Sequence, residues 1–159
     1  MIKREQYMRR IRPFIGSELV KVMTGIRRSG KSVMLELVKE ELVESGVDSA
    51  NFISINFEDM RYGHLLNAQA LHDHVMGLAR QMDGKVYLFF DEIQEVADWE
   101  RCINSFRVAL DCDIYITGSN AKLLSGELAT YLGGRYVEFV IYPFSFGEFM
   151  ELYRTIEPE

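Results

Sequence analysis

The sequence predicts an α/β domain in which a parallel sheet carries helices on both faces. Three observations lead there. Short apolar runs alternate with helix-period segments along most of the chain, the pattern of strand–helix–strand units. The run Lys85–Phe90 is almost continuously apolar, as expected of a strand covered on both sides. The length, 159 residues, is that of one domain able to bury its own core without a metal or disulfide staple.

Each element follows from its residues. Leu19–Thr24 reads as the first strand, and Gly25–Gly30 as a loop. Lys31–Glu44 places Val33, Leu37, Val38 and Leu42 at helical spacing, and Gly46 ends that helix. Asn51–Phe57 alternates Phe52, Ile53, Ile55 and Phe57 in a second strand. A helix within Leu65–Met82 aligns Leu71, Val75, Leu78 and Met82. After the third strand, Asp98 or a neighbour opens a helix bearing Trp99, Cys102, Phe106 and Leu110. Asp113–Thr117 is the fourth strand. Ala121–Leu132 reads as a helix stopped by Gly133-Gly134, and Tyr136–Ile141 as the fifth strand. Pro143 breaks that strand, and Ser145-Phe146-Gly147-Glu148 has capping-box spacing for a last helix. The chain therefore divides into a basic N-terminal segment (1–17), a core (18–142) and a C-terminal helix (143–159).

Composition narrows the class. With 48% apolar and 26% charged residues, intrinsic disorder is excluded. A net charge of −6 and a pI near 5.2 argue against a general nucleic-acid coat. Cys102 and Cys112 match neither a disulfide framework nor a metal site, which points to reduced thiols. The N-terminus lacks the apolar stretch of a secretory signal, and no run approaches the roughly 20 apolar residues of a membrane span. A cytoplasmic protein with no membrane contact is expected. Its charge is uneven, for Lys3, Arg4, Arg9, Arg10 and Arg12 crowd the N-terminus. They form either a solvated helix face or a contact for DNA or a protein partner.

The strongest motif is Gly25-Ile26-Arg27-Arg28-Ser29-Gly30-Lys31-Ser32, which fits G-x-x-x-x-G-K-[ST], the P-loop or Walker A pattern. Its context is right: a strand precedes it and a helix opening at Lys31-Ser32-Val33 follows. In such a loop, glycines free the backbone, N–H groups turn toward phosphate oxygens, and the helix points its positive end at them. Lys31 then reaches the β- and γ-phosphates, and the Ser32 hydroxyl ligates Mg²⁺. Arg27 and Arg28 occupy permissive positions and carry little weight. The second motif is Val86-Tyr87-Leu88-Phe89-Phe90-Asp91-Glu92, an apolar strand ending in two carboxylates, the Walker B pattern. Asp91 is placed to hold Mg²⁺ and Glu92 to act as general base toward water. In Thr117-Gly118-Ser119-Asn120 a strand ends in small polar residues. Asn120 or Ser119 could bond the γ-phosphate or the attacking water, cap the next helix, or do both. Arg135, after Gly133-Gly134, is a candidate arginine finger, in cis or from a neighbour. His72-Asp73-His74 is read as solvated helix surface, because residues two apart do not share a helical face. No Asn-Lys-x-Asp supports guanine selectivity.

Together these segments resemble prokaryotic AAA+-type ATPases of the archaeal-ATPase-like group. The resemblance also draws on Asn56-Phe57-Glu58-Asp59, Trp99-Glu100 and Pro143-Phe144-Ser145-Phe146, and spans about Tyr7 to Phe149. It implies a three-layer α/β/α P-loop NTPase fold with five parallel strands in the order 5-1-4-3-2. It implies ATP and Mg²⁺ as cofactors, Lys31 and Ser32 on phosphate and metal, Asp91 on the metal, Glu92 as base and Asn120 as sensor. It makes Arg135, which matches the family's Gly-Arg step, a candidate arginine finger, and a homo-oligomer is one of the candidate partners. Members of the group continue into a large C-terminal region, so this chain reads as the engine of a longer protein. The expected function is ATP hydrolysis coupled to a partner or to that region. The rival is a nucleotide-binding switch or scaffold with negligible turnover, associated with DNA. A P-loop kinase is disfavoured, since the segment between the third and fourth helices offers only Arg101 and Arg107.

Overall fold

The computed structural model describes residues 4–119, 123, 130 and 132–143. Five strands, β1 (Val20–Thr24), β2 (Phe52–Asn56), β3 (Val86–Asp91), β4 (Cys112–Gly118) and β5 (Tyr136–Val140), form one parallel sheet in the order β2-β3-β4-β1-β5. This is the implied 5-1-4-3-2 order, counted from the other edge. The helices are α1 (Glu5–Ile11), α2 (Lys31–Glu44), α3 (Ala68–Ala79) and α4 (Trp99–Ala109).

The pleat of the strands sorts side chains between two cores. Val22, Leu88, Phe90, Ile114 and Ile116 face α3 and α4, meeting Leu71, Val75, Ile103 and Phe106. Met23, Phe89, Tyr115 and Phe139 face the other way, against α1 and α2, meeting Met8, Ile11, Met34 and Val38. Phe89 and Tyr115 stack there with ring centroids 5.1 Å apart. Fully burying each such side chain contributes about 1.5–3 kcal/mol.

Local signals act as expected at some ends and differently at others. Asn67 caps α3, its side chain accepting from Ala70 N–H at 2.9 Å. Asp98 does precede α4, but through a left-handed backbone (φ 59°) rather than a side-chain cap. The buried stripe of α3 is Leu71, Val75 and Ala79. Leu78 is exposed, and Met82, beyond the helix end, packs half-buried against the same core. His72 packs flat on Phe106, with centroids 5.6 Å apart, instead of facing solvent alone. The expected helices over 121–132 and after residue 145 fall almost wholly outside the described residues.

The N-terminal segment departs most from expectation. One face of α1, with Glu5, Gln6, Arg9 and Arg10, is solvated, but the other joins the core, so the core does not begin at 18. Tyr7, Met8 and Ile11 belong to the core cluster with α2. Arg12 pairs with Glu5 and Glu41, and the Arg4 side chain is buried at 1% exposure. Arg9, Arg10 and Arg12 are the exposed arginines among the described residues of the segment, and of these Arg12 is the one tied down by ion pairs.

Candidate functional site

The carboxyl ends of β1, β3 and β4 meet at one edge of the sheet, where ligands of open α/β sheets bind. From β1 the chain turns through residues 25–30 into α2. Gly25 passes so close to Ile141 that a Cβ would collide with its carbonyl oxygen. Gly30 has φ 97°, a left-handed conformation that favours glycine, and a Cβ there would lie 2.9 Å from Arg4 Nη1. Lys31 folds back over the loop, its Nζ donating to the carbonyls of Gly25 (2.8 Å) and Ile26 (2.9 Å).

Two acids close the other side. The Ser32 hydroxyl at the start of α2 donates to Asp91 Oδ2 at 2.5 Å. The Thr117 hydroxyl donates to Asp91 Oδ1 at 2.5 Å and accepts the Glu92 N–H at 2.9 Å. Glu92 itself adopts φ 57°, a left-handed conformation costly for a residue with a Cβ. That strain turns the chain sharply after β3 and sets its carboxylate against the Ser119 hydroxyl. Gln94 Nε2 approaches Glu92 Oε2 at 3.4 Å.

Between these groups lies a cleft of about 520 Å³, bordered by Arg27, Arg28, Gly30, Lys31, Ser32, Val33, Glu58, Asp91, Glu92 and Ser119. Across it Arg27 Nη2 meets Glu58 at 3.3 Å. The donor set suits a nucleoside triphosphate with a hard divalent cation. A hydroxyl and a carboxylate oxygen converge for the metal, a lysine stands beside them, and the N-terminal end of α2 faces the same space.

The structure thus brings together Lys31, Ser32, Asp91, Glu92 and Ser119 from three separate segments. Ser29 is buried, and Ile26 projects outward from the loop. Asn120 lies outside the described residues. Arg135 is not brought to the cleft. Its carbonyl accepts the Val20 N–H at the start of β1, about a strand length (~16 Å) from the loop. A role for it in cis is therefore not supported by this geometry. Sequence reasoning missed Thr117, Glu58 and Arg4. Thr117 had a signal, as a hydroxyl inside an apolar strand beside the two acids; Arg4 had none.

Residues 17–150 match the protein family described as AAA domain. The chain belongs to that family. This AAA domain is 45% identical over 150 residues to an uncharacterised protein of Haemophilus influenzae, a match covering 94% of this chain and 38% of that one. It is 36% identical over 149 residues to an uncharacterised protein of Methanocaldococcus jannaschii, covering 87% of this chain and 31% of that one. The chain therefore spans well under half the length of these relatives. Among solved structures it resembles the Aeropyrum pernix ORC1 protein in complex with DNA, with a TM-score of 0.67 at 14% identity, over 98% of this chain and 49% of that one. It also resembles AMPPCP-bound DnaA from Aquifex aeolicus, with a TM-score of 0.58 at 14% identity, over 96% and 50% of the two chains. At that identity the likeness shows the fold. The AAA domain thus has the AAA+-type P-loop ATPase fold that the motifs led one to expect. Among the described residues, no helix is long and apolar enough to cross a membrane.

Proposed function

We propose that this AAA domain binds ATP with Mg²⁺, hydrolyses the terminal phosphoanhydride, and couples nucleotide state to a partner or to the rest of a longer protein. One observation carries the reading: the Ser32 hydroxyl and the Asp91 carboxylate meet at 2.5 Å with Glu92 next in the chain. Those two groups would hold the metal. Bound Mg²⁺ supplies charge neutralisation at the phosphates.

The protein's own part follows from its residues. Backbone N–H groups of the loop and of Lys31 and Ser32 bind phosphate oxygens. The Lys31 ammonium exchanges its loop carbonyls for phosphate. A Glu92 carboxylate oxygen takes the proton of the attacking water, so that hydroxide character develops at the phosphorus. Asn120 is assigned the sensor role, and Arg135 a role at a neighbouring copy's site in a homo-oligomer, reached from the far end of the sheet.

The test is ATP affinity measured beside phosphate release. Lys31→Ala abolishes ATP binding, whereas Glu92→Gln keeps it and slows hydrolysis by about 10²–10⁴. Unchanged affinity in the first variant overturns the site, and a parent rate in the second overturns the base. A second reading, a switch with negligible turnover, is favoured by the Ser119 contact that occupies the Glu92 carboxylate. Tight ATP binding without steady-state phosphate release supports it. A DNA partner rests on Arg9 and Arg10. Loss of duplex binding in an Arg9→Glu, Arg10→Glu variant supports that contact, and unchanged binding removes it.

A further inference from the structure

A buried arginine near the start of the chain touches the phosphate loop from outside the cleft. Arg4 Nη1 donates to the Ser29 carbonyl at 2.6 Å, and Arg4 Nη2 to the Tyr142 carbonyl at 2.7 Å. Its guanidinium lies over the Tyr7 ring, 4.5 Å from the centroid. The Tyr7 hydroxyl in turn accepts the Tyr142 N–H at 3.1 Å. One planar fork therefore joins three chain segments: the start of α1, the phosphate loop, and the residue that follows β5 and Ile141. A lysine ammonium, a point donor, does not impose the fixed geometry with which the two terminal nitrogens of the fork address two separate carbonyls.

The consequence lies in one peptide plane. A trans peptide sets its C=O and the next N–H in opposite directions. With the Ser29 carbonyl held toward Arg4, the Gly30 N–H must point away from Arg4. Gly30 borders the cleft on one side and leaves room for Arg4 Nη1 on the other. We propose that Arg4 is a positioning residue for phosphate binding, fixing the Ser29–Gly30 peptide so that the Gly30 N–H faces the phosphates. The inference rests on the nucleotide reading above. It adds that the loop's donor orientation is set by a residue outside the motif, and that the same side chain ties the loop to the segment leaving β5.

The bond removed is one to a charged donor, a class worth a 10- to 100-fold change when lost, on the order of 1.5–3 kcal/mol. Arg4→Ala is therefore expected to weaken ATP and ADP binding by about tenfold or more, equally for both nucleotides. In turnover KM rises more than kcat falls, the sign of binding lost in ground and transition states alike. Millimolar guanidinium restores affinity in Arg4→Ala but not in Lys31→Ala, a rescue that a general loss of packing would not allow. Arg4→Lys covers the case in which the alanine variant does not fold, and it too shows a raised dissociation constant. Parent-like affinity in Arg4→Ala, or in Arg4→Lys when the alanine variant is unfolded, overturns the proposal. So does weakened binding that guanidinium leaves unchanged. If the parent binds ATP and Lys31→Ala abolishes it while Arg4→Ala leaves it alone, only the Arg4 role fails. If the parent binds no nucleotide, the functional reading fails and takes this one with it.

Discussion

The Ser119 hydroxyl lies against both carboxylate oxygens of Glu92, 2.7 Å from Oε2. It comes from the end of β4 and reaches the acid that follows β3, so two neighbouring strands fix one carboxylate. A hydroxyl there orients the group. Orientation matters for a base that must meet water at hydrogen-bond distance. Ser119→Ala is expected to leave ATP affinity unchanged and to reduce phosphate release by about tenfold, the equivalent of one lost bond to a charged group. A faster release in that variant means the contact restrains Glu92, and it favours the switch reading.

Thr117 is the buried hinge of the two acids. Its hydroxyl serves Asp91 Oδ1 and the Glu92 N–H together, and its side chain is fully buried. Thr117→Val keeps the shape but strands a donor and an acceptor, at about 1–3 kcal/mol for each buried group left unpaired. Thermal unfolding should show a lower Tm, and the Mg²⁺ concentration for half-maximal nucleotide affinity should rise. Thr117→Ser, which keeps the hydroxyl, should restore the Mg²⁺ dependence. If valine and serine behave alike, the hydroxyl has no role.

The strands and the loop were legible because they depend on local pattern. Val86–Phe90 and Gly25–Ser32 announce themselves in consecutive residues, and parallel topology follows from the helices between the strands. Asp91 and Glu92 could be read because the strand ends on them. Thr117 could be seen but not assigned. Every residue from Asp113 to Gly118 is buried, so no alternation marked which side chains point toward the acids. Arg4 was illegible because its meaning comes from carbonyls 25 and 138 residues away, and a carbonyl leaves no trace in the choice of residue. In sequence it looked like one more member of a basic run. Lys21 and Asp113 were hidden likewise, each a lone charge inside an apolar strand.

Those last two form a fully buried ion pair near the amino end of the sheet, away from the cleft. Lys21 Nζ meets Asp113 Oδ1 at 2.5 Å and the Ser17 carbonyl at 2.8 Å. Asp113 Oδ2 accepts from Gly16 N–H at 3.0 Å and Tyr115 hydroxyl at 2.7 Å. Breaking such a pair on one side leaves an uncompensated buried charge, at about 3–5 kcal/mol. Lys21→Met should show that loss in urea unfolding. Adding Asp113→Asn removes the orphaned charge while keeping an acceptor, so the double variant should be more stable than Lys21→Met alone. A double variant no more stable than the single one would mean that the penalty is packing rather than charge.

Alkaline pH supplies the last prediction, with its sign set by burial. Desolvation pushes the Cys102 thiol from 9.0 up to about 12, and Cys112 from 9.0 up to about 11. Burial, followed by Asp113, raises the Tyr115 hydroxyl too. In the unfolded chain these groups release protons at ordinary values, so above about pH 9 the folded state binds more protons than the unfolded one. Stability is then full below the unfolded values and falls as pH rises toward the folded ones. Lys21 works in the opposite sense. Desolvation lowers its value, so just below its ordinary 10.5 the unfolded chain binds the extra proton and stability rises with pH. Burial raises the Tyr87 hydroxyl as well, so four raised groups stand against one lowered group, and the net slope is downward. Each fully coupled thiol contributes about 1.4 kcal/mol per pH unit within its window. Urea unfolding of the parent and of Cys102→Ala, at about pH 8 and about pH 10.5, isolates one thiol. The variant starts less stable because it opens a cavity, yet loses less between the two conditions. Equal losses in both proteins would show that Cys102 ionises as freely in the fold as outside it.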